Sequence, residues 1–198
     1  MTTELTLDFR IAQHDWEFEQ IHRLNYKTFV EEIPQHAPNP DRRLVDKFHA
    51  QNSYLTGWKG DQLVGMLCAR DQRPFSLDGK LPNLDDYLPP HSKVVEIRLL
   101  AVEKEYRIPH VFRGLLLALG EWAKAGNYDL AIISATTRQA RLYRALAFQP
   151  FGPLTGTGDV QFQPMYLTPS GYEQLHQSTR TFAGLKLNVT GSKGQEAG

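Results

Sequence analysis

Cysteine is almost absent from this chain of 198 residues, because Cys68 is the only one. A single thiol cannot form an internal disulfide, and a chain without disulfides is typical of the cytoplasm. Cys68 lies in the apolar run of residues 63–69, where we expect a buried thiol that packs as a small apolar side chain. This setting argues against Cys68 as a nucleophile.

The chain also lacks a net charge and a long apolar run. Its 22 basic and 22 acidic residues balance, whereas nucleic-acid binding usually requires a basic excess. No apolar run approaches the ~20 residues that cross a bilayer, and residues 1–10 lack the apolar segment of a signal peptide. We therefore expect a soluble cytoplasmic protein with no membrane span and no nucleic-acid partner.

Motifs for metal, nucleotide or serine-nucleophile chemistry are missing as well. The seven histidines and the single cysteine show no metal-ligand spacing. The sequence contains neither a Gly-x-Ser-x-Gly motif nor a phosphate-binding Gly-Lys-Ser/Thr loop. We expect no bound metal and no tightly bound cofactor.

What the sequence does contain is an alternation of strand and helix patterns. Alternating or continuous apolar residues predict six strands, at residues 5–11, 53–58, 62–70, 93–102, 128–134 and 160–167. Apolar residues at helical spacing predict three helices, at residues 15–33, 109–124 and 138–146. Hairpin strands followed by a strand–helix–strand unit indicate antiparallel strands beside a parallel pair. The predicted fold class is mixed α/β, with one twisted mixed sheet and flanking helices.

Domain organisation is predicted to be simple. We expect residues 1–183 to form one domain and the polar, glycine-rich residues 184–198 to lack regular structure. Residues 71–92 contain four prolines and one glycine and break the regular pattern inside the domain. Such a segment either lies over a site or is a surface excursion, and both interpretations remain open.

Three segments resemble the GCN5-related N-acyltransferase (GNAT) superfamily. Residues 96–102 resemble its fourth strand, and Tyr106 and Arg107 before the next helix resemble its donor-binding loop. Residues 141–148 are similar to its late motif A-x-x-L-Y-x-x-x-G-F, with Ala147 where that motif usually has glycine. The resemblance implies the GNAT fold, whose central parallel strands splay apart to admit the pantetheine arm of a thioester donor.

The N-terminal half resembles a narrower branch, the N-acyl amino acid synthases and acyl-homoserine lactone synthases. The similar residues are 23–26 and 29–32 in the first helix and 46–48 before the first hairpin strand. Glu96 close to Arg98 fits the same branch, although the lactone synthases space that pair one residue wider. The resemblance covers about residues 5–168, and the branch implies long-chain acyl thioesters as donors.

The donor loop departs from the glycine pattern of most acetyl-CoA enzymes in the superfamily. His110 and Phe112 stand where glycines would let backbone amides approach a pyrophosphate. The single phosphate of a carrier-protein pantetheine needs fewer close contacts with the backbone amides of this loop than the pyrophosphate of CoA. This favours acyl carrier protein (ACP) over acyl-CoA as the donor, and both remain open.

The resemblance assigns the donor to strand backbone and to the start of the following helix. A backbone amide near residues 100–102 would point at the thioester oxygen, as in an oxyanion hole. The predicted donor-binding residues are Leu100, Ala101, Val102, Arg107, His110, Val111, Phe112 and Arg113.

The predicted catalytic residues are Glu96 and Tyr143. Glu96 and Arg98 share one face of their strand because they are two residues apart. Glu96 is predicted to be the base and Arg98 to bind a substrate carboxylate, while a structural ion pair is the alternative. Tyr143, with an ordinary phenol pKa of ~10, is predicted to protonate the leaving thiolate, or else to pack against Phe148.

Further binding residues are predicted around these groups. Arg23, Phe29 and Arg70 are expected to contact the acceptor, and Arg23 has a solvated arginine as its alternative. A set of basic residues on the donor side could steer an acidic carrier protein or form a solvated face: Arg107, Arg113, Arg138, Arg141 and Arg144.

The sequence therefore predicts an N-acyltransferase. It would move an acyl group from an ACP or CoA thioester to the amine of an amino acid or similar small amine. One alternative is an acetyl-CoA-dependent N-acetyltransferase. Another is a non-catalytic module that binds acyl carriers or ligands on the same fold.

Overall fold

A computed structural model describes residues 6–156, 161–178 and 186–188. In these residues the strands are β1 Asp8–Ile11, β2 Ser53–Lys59, β3 Gln62–Arg70, β4 Val94–Val102, β5 Leu130–Thr136, β6 Gln149–Pro150, β7 Phe162–Leu167 and β8 Lys186–Asn188. The α-helices are α1 Asp15–Tyr26, α2 Pro109–Ala125, α3 Ala140–Ala145 and α4 Pro169–Ser178. The predicted strands and helices occur in the predicted order, while β6, α4 and β8 are additional elements and the boundaries shift.

The chain divides into two compact units that share strand β4. The first holds the residues up to Ala69, Leu99–Trp122 and the C-terminal segment, and the second holds Arg70–Arg98 and the residues from Ala123 onward. Strand order in the first unit is β4-β3-β2-β1-β8, and in the second it is β6-β7-β5-β4. The expectation that residues 1–183 form one domain stays a prediction.

The sheet is mixed, as predicted. The strands β1 and β3 both run antiparallel to β2, and Gly60 closes the β2–β3 hairpin with a φ of +58°. The strand β5 runs parallel to β4 and antiparallel to β7. Because α2 connects β4 to β5, it is the crossover helix of the parallel pair.

The parallel pairing of β4 and β5 is short. Its register joins Val94–Glu96 to Leu130–Ile132, and among the described residues of the second unit it stops there, although both strands continue. Leu99 then takes a φ of +52°, a left-handed value that is strained for a residue with a side chain. The strand β4 is therefore irregular where a splayed pair was predicted.

In the first unit, α2 packs closely against the sheet. A Cβ on Gly114 would lie 2.0 Å from the ring of Phe9, so only glycine fits at this contact. Phe9 itself is fully buried on β1. The contact fixes the approach of α2 and, with it, the position of the helix start.

The first helix changes its hydrogen-bond pattern before it ends. The structure has α1 up to Tyr26 and then a π-helical segment, Lys27–Glu32, where the sequence predicts one α-helix through residue 33. Lys27 and Glu32, at the two ends of this segment, form ion pairs with Glu103 and Arg107. Wide turns of this kind are frequent at functional sites.

In the second unit, the irregular segment of residues 71–92 is part of the core. Its apolar side chains pack with residues of β5, in a cluster that contains Phe75, Leu77, Leu81, Leu84, Leu130 and Ile132. A surface excursion would leave such side chains in water. This packing argues against a surface excursion, and the interpretation that the segment lies over a site stays a prediction.

Two elements at the C-terminal end were not predicted from the sequence. The helix α4 has only Tyr172 and Leu175 as large apolar residues, which is too few for a clear helical pattern. Lys186–Asn188 pairs parallel to the edge strand β1, so these residues of the expected unstructured tail form a strand. Such pairing satisfies backbone groups that an edge strand would otherwise expose. The rest of residues 184–198 lies outside the described residues.

A partly buried polar cluster links α1 to the segment before β2. The Arg43 Nη2 atom lies 3.3 Å from Nδ1 of His22, so this nitrogen accepts a hydrogen bond and His22 is neutral. The His22 Nε2 atom lies 3.5 Å from Nδ1 of His49, which also lies 3.1 Å from the hydroxyl of Tyr54. Burial, the neighbouring His49 and Arg43 lower the pKa of His22 to about 4, against a smaller opposing effect of Glu19.

Acid is therefore expected to destabilise the fold through His22. The unfolded state binds this proton near pH 6.5 and the folded state only near pH 4, so stability is complete above about pH 6.5 and falls by up to about 3 kcal/mol as pH drops to 4. Urea denaturation across this range measures the slope. His22→Gln should flatten it, whereas the same change at the exposed His36 should not. Equal slopes in all three proteins would contradict this account.

The end of α3 explains why the late GNAT motif uses glycine. Ala147 has a φ of +65°, and the amides of Ala147 and Phe148 donate to the carbonyls of Arg144 and Tyr143. This is the Schellman arrangement, in which glycine is the usual residue at the left-handed position. Alanine is strained there because of its Cβ.

We expect Ala147→Gly to raise the free energy of unfolding by about 0.5–1 kcal/mol, because strain relief exceeds the added freedom of the unfolded chain. The matched control is Ala145→Gly, two residues earlier inside α3, which should lower it by about 1 kcal/mol. Urea denaturation measures both. Destabilisation by both substitutions would show that the left-handed position is not strained.

Candidate active site

The carboxylate of Glu96 is the centre of the site in the second unit. Glu96 is 0% exposed on β4, and its neighbours Val95 and Ile97 are also buried. Both of its carboxylate oxygens accept the backbone N–H of Ser76, at 2.9 and 3.0 Å, and the Ser76 hydroxyl donates a further bond to Oε1. The segment above β4 thus supplies the donors that a buried carboxylate needs.

Arg98 lies on the same face of β4 as Glu96, as the sequence predicts. Its Nε atom is 3.6 Å from the Glu96 Oε2 atom, and its side chain is 14% exposed. This distance permits electrostatic attraction but is too long for a hydrogen bond. Both the binding role and the structural role of Arg98 stay predictions.

Lys80 brings a second cation to this group. The Lys80 ammonium donates to the hydroxyl of Ser134 at 3.0 Å and lies 4.0 Å from the centre of the Phe162 ring. Partial burial lowers the pKa of Lys80, Glu96 opposes that shift, and Arg98 adds to it. The charges of Glu96 and Arg98 thus both affect the pKa of Lys80.

Sequence reasoning missed Ser76, Lys80 and Ser134. Ser76 and Lys80 lie in the irregular segment, where no periodicity marks the direction of a side chain. The signal that could have drawn attention to them was the length of that segment, which already suggested a covered site.

Two arginines near this segment, Arg70 and Arg73, are in contact with the fold itself. Arg70, a predicted acceptor-binding residue, is 1% exposed at the end of β3. Arg73 pairs with Asp78 and Asp85, and its guanidinium lies 5.1 Å from the centre of the Phe75 ring. Arg73 thus fixes the conformation of the segment that presents Ser76.

Tyr143 is half-buried on α3, and its ring packs edge-to-face with Phe148 at 5.6 Å. Its hydroxyl makes no hydrogen bond with any residue that the structure describes. Burial raises the pKa of Tyr143 to about 12, so the phenol keeps its proton at neutral pH. It can donate a hydrogen bond to a leaving thiolate, but full proton transfer to a thiolate of ordinary pKa ~8.5 is uphill.

Arg107 of the first unit, one of the predicted donor-binding residues, is held by two contacts. Its Nε atom donates to the carbonyl of Val102 at 3.0 Å, and its Nη2 atom pairs with Glu32. These bonds hold the turn between β4 and α2 in place. A donor phosphate that binds Arg107 must therefore exchange with the Glu32 carboxylate.

The rest of the predicted donor set offers backbone more than side chains. Ala101 and Val111 are buried, and Val111 would contact a Cβ on Gly65 of β3. His110 is exposed, while the other members are half-buried: Leu100, Val102, Phe112 and Arg113. The amide groups at the start of α2 can still attract an anion.

The remaining residues that were predicted to contact the acceptor or the carrier protein differ in their exposure. Arg23 is 70% exposed and pairs with Glu19 at 2.8 Å, which matches the solvated alternative for this residue. Phe29 is half-buried in the π-helical segment and packs against the core of the first unit. Arg138, Arg141 and Arg144 are exposed on and just before α3.

The part of the chain that the structure describes was predicted to have neither a membrane span nor a metal site. None of its helices combines the length and the apolar character that crossing a membrane requires. None of its groups of histidine, cysteine, aspartate and glutamate residues is arranged to hold a metal ion.

Comparison with known proteins bears on the fold. The family model described as an acetyltransferase (GNAT) domain matches residues 24–117. No curated protein matches the chain in sequence.

Solved structures match the fold over nearly the whole chain. A CoA-dependent acyl-homoserine lactone synthase, BjaI, with SAM and isopentyl-CoA, has a TM-score of 0.75 and 17% identity, covering 94% of this chain and 95% of its own. The CoA-dependent acyl-homoserine lactone synthase MesI has a TM-score of 0.72 and 19% identity, with coverage of 91% and 98%. FeeM, an N-acyl amino acid synthase from uncultured soil microbes, has a TM-score of 0.68 and 15% identity, with coverage of 87% and 96%. The predicted fold class is confirmed.

The free hydroxyl of Tyr143 gives a test that separates packing from chemistry. We expect Tyr143→Phe to change the free energy of unfolding by less than about 0.5 kcal/mol, because no hydrogen bond is lost. The control is Tyr54→Phe, which should lower it by about 1–2 kcal/mol because the Tyr54 hydroxyl is bonded to Asn52 and His49. Urea denaturation measures both, and a large loss for Tyr143→Phe would assign its phenol to the fold.

Proposed function

We propose that this chain, which carries a GNAT acyltransferase domain, transfers an acyl group from a CoA or ACP thioester to the amine of an amino acid or similar small amine. The observation that carries the proposal is the Glu96 carboxylate. It is buried, oriented by Ser76, next to Arg98, and on the last residue of β4 that pairs with β5. A base in that position can serve an amine that attacks a thioester.

The reaction needs a neutral amine, a polarised carbonyl and a stabilised thiolate. The amine nitrogen attacks the thioester carbon, the new C–N bond forms and the C–S bond breaks. Glu96 takes the proton that the amine loses, directly or through one water molecule. The proposed donor strand continues β4 through Leu100, Ala101 and Val102, whose backbone N–H groups are the candidates for polarising the carbonyl. Tyr143 donates a hydrogen bond to the leaving sulfur.

The hydrogen bonds from the backbone N–H of Ser76 to both carboxylate oxygens hold Glu96 in one orientation. Arg98 adds a compensating charge at 3.6 Å.

The relatives support a thioester donor and an amine acceptor. BjaI and MesI are described as CoA-dependent, and FeeM as an N-acyl amino acid synthase. His110 and Phe112, which replace glycines in the donor loop, are the reason to favour a carrier-protein donor for this chain. Both CoA and ACP thioesters are therefore candidate donors, and their rates of acyl transfer should be compared directly.

An acetyl-CoA-dependent N-acetyltransferase is the second candidate, favoured by the family model that matches residues 24–117. The two candidates differ in the chain length of the acyl group. Purified protein is incubated with acetyl and long-chain acyl donors, on CoA and on ACP, and with a panel of amino acids. Free thiol and product mass are measured. Turnover with acetyl-CoA alone would favour the second candidate, and donor binding without turnover would favour a non-catalytic module.

Glu96→Gln is expected to lower kcat roughly a hundredfold to ten-thousandfold, because an amide cannot accept the proton while its shape is unchanged. Thiol release at saturating donor and acceptor measures the effect, and circular dichroism checks that the variant is folded. Glu121→Gln, on the exposed face of α2, is the matched control and should keep the full rate. A normal kcat for the Glu96 variant would remove it from the mechanism.

A further inference from the structure

The Glu96 carboxylate is enclosed by the protein, and a single residue supplies its hydrogen bonds. Its side chain is 0% exposed. Within residues 6–156, 161–178 and 186–188, the donors to this carboxylate are the backbone N–H of Ser76, shared between both oxygens, and the Ser76 hydroxyl. An amine that arrives from solvent therefore does not touch Glu96, and its proton must reach the carboxylate through a neighbouring group.

The Ser76 hydroxyl has the chemistry that such a group needs. It donates its O–H to the Oε1 atom of Glu96, and a hydroxyl oxygen also has two lone pairs that accept hydrogen bonds. In the part of the chain that the structure describes, this oxygen accepts no hydrogen bond, so its lone pairs are open to an incoming N–H. Ser76 is half-buried, so part of the residue faces solvent, whereas Glu96 has no such access.

Arg98 is the other polar group beside the carboxylate, with its Nε atom 3.6 Å from the Glu96 Oε2 atom. A guanidinium has N–H donors only and keeps its proton at every pH at which a protein is folded. It therefore cannot take a proton from an amine and pass it on. The serine hydroxyl, which both donates and accepts, is the group that can.

We propose that the Ser76 hydroxyl relays the proton of the acceptor amine to Glu96, which makes Ser76 a further catalytic residue of the transfer. The inference rests on the proposed function, in which Glu96 is the base. The amine nitrogen forms its bond to the thioester carbon, and the C–S bond breaks to leave a thiolate. The N–H proton moves to the Ser76 Oγ atom while the O–H proton of Ser76 moves to the Glu96 Oε1 atom. The serine is a neutral hydroxyl again, and Glu96 has become a carboxylic acid.

The irregular segment holds the hydroxyl in the position that a relay requires. Phe75 and Leu77, on either side of Ser76, are buried in the core of the second unit. The backbone N–H of Phe75 donates to the Oδ2 atom of Asp78 at 2.6 Å, while the next N–H, that of Ser76, donates to Glu96. Two carboxylates thus fix two consecutive peptide groups, and the hydroxyl remains against the Oε1 atom.

Ser76→Thr and Ser76→Val test the relay, because the two new side chains have the same shape and only threonine carries a hydroxyl. Both variants keep the backbone N–H that orients Glu96. In a single turnover of bound donor, the valine variant should transfer the acyl group roughly a hundredfold more slowly than the threonine variant, the size of a general-base contribution. The KM for the donor should not change in parallel, because the hydroxyl acts only on the proton of the amine.

A second measurement separates a hydroxyl that moves its proton from one that only orients Glu96. The single-turnover rate of the unmodified protein is followed in mixtures of H2O and D2O. A relay moves two protons together, so the rate should fall along a curve as the deuterium fraction rises. A hydroxyl that only orients Glu96 keeps its proton, and the plot is then a straight line. Ser76→Ala, which should also lose rate, replaces the other two variants if either does not fold.

The matched control is Ser92→Val, at the other end of the irregular segment. Like Ser76, Ser92 directs both its backbone N–H and its hydroxyl at one carboxylate, that of Asp129, with the N–H at 2.7 Å. Ser92 is exposed and has no role in the proposed mechanism. The rate of acyl transfer should therefore be unchanged, and circular dichroism checks the folding of every variant.

Equal rates for the threonine and valine variants would overturn the relay while the proposed function stands. A straight line for the unmodified protein in the mixed solvents would do the same. A difference between the two variants together with a curved plot supports the relay. If the unmodified protein releases no thiol with any amine, the proposed function fails and the relay fails with it.

Discussion

The burial of the Glu96 carboxylate is the constraint on which the rest of the second unit depends. A charge without access to water is destabilising by several kcal/mol unless hydrogen bonds and an opposite charge replace the lost hydration. Ser76 supplies those bonds, and it can do so because Phe75 and Leu77 on either side of it are buried in the core. The apolar packing of an irregular segment thus holds the Glu96 carboxylate in its orientation.

The sequence was sufficient to predict β4, the helix α2 that follows it, and the shared face of Glu96 and Arg98. These follow from periodicities of two and 3.6 residues, which the chain obeys locally. Ser76 and Lys80 obey no period. Their roles arise from contacts with residues 20 and 54 positions away along the chain, and a single sequence does not display such contacts.

Backbone strain is a second feature that the sequence alone does not predict. Leu99 and Ala147 both have left-handed φ values that non-glycine residues avoid, so residue type alone argues against such conformations. Such strain persists only where the surrounding structure determines the conformation. Leu99 packs against the core cluster of the first unit, and Ala147 closes the hydrogen-bonded end of α3. The resemblance to the GNAT motif hinted at the second case, since glycine usually stands there.

The pairing of Arg107 with Glu32 does not contradict its proposed role toward the donor. The two side chains are 44% and 28% exposed, and ion pairs with such access to water contribute only about 0–1 kcal/mol. A phosphate carries more charge than a carboxylate and can accept two parallel hydrogen bonds from a guanidinium. Exchange of Glu32 for the donor is therefore energetically easy. The existing pair keeps Arg107 extended toward solvent beside the start of α2, where an anion is already favoured by the helix dipole.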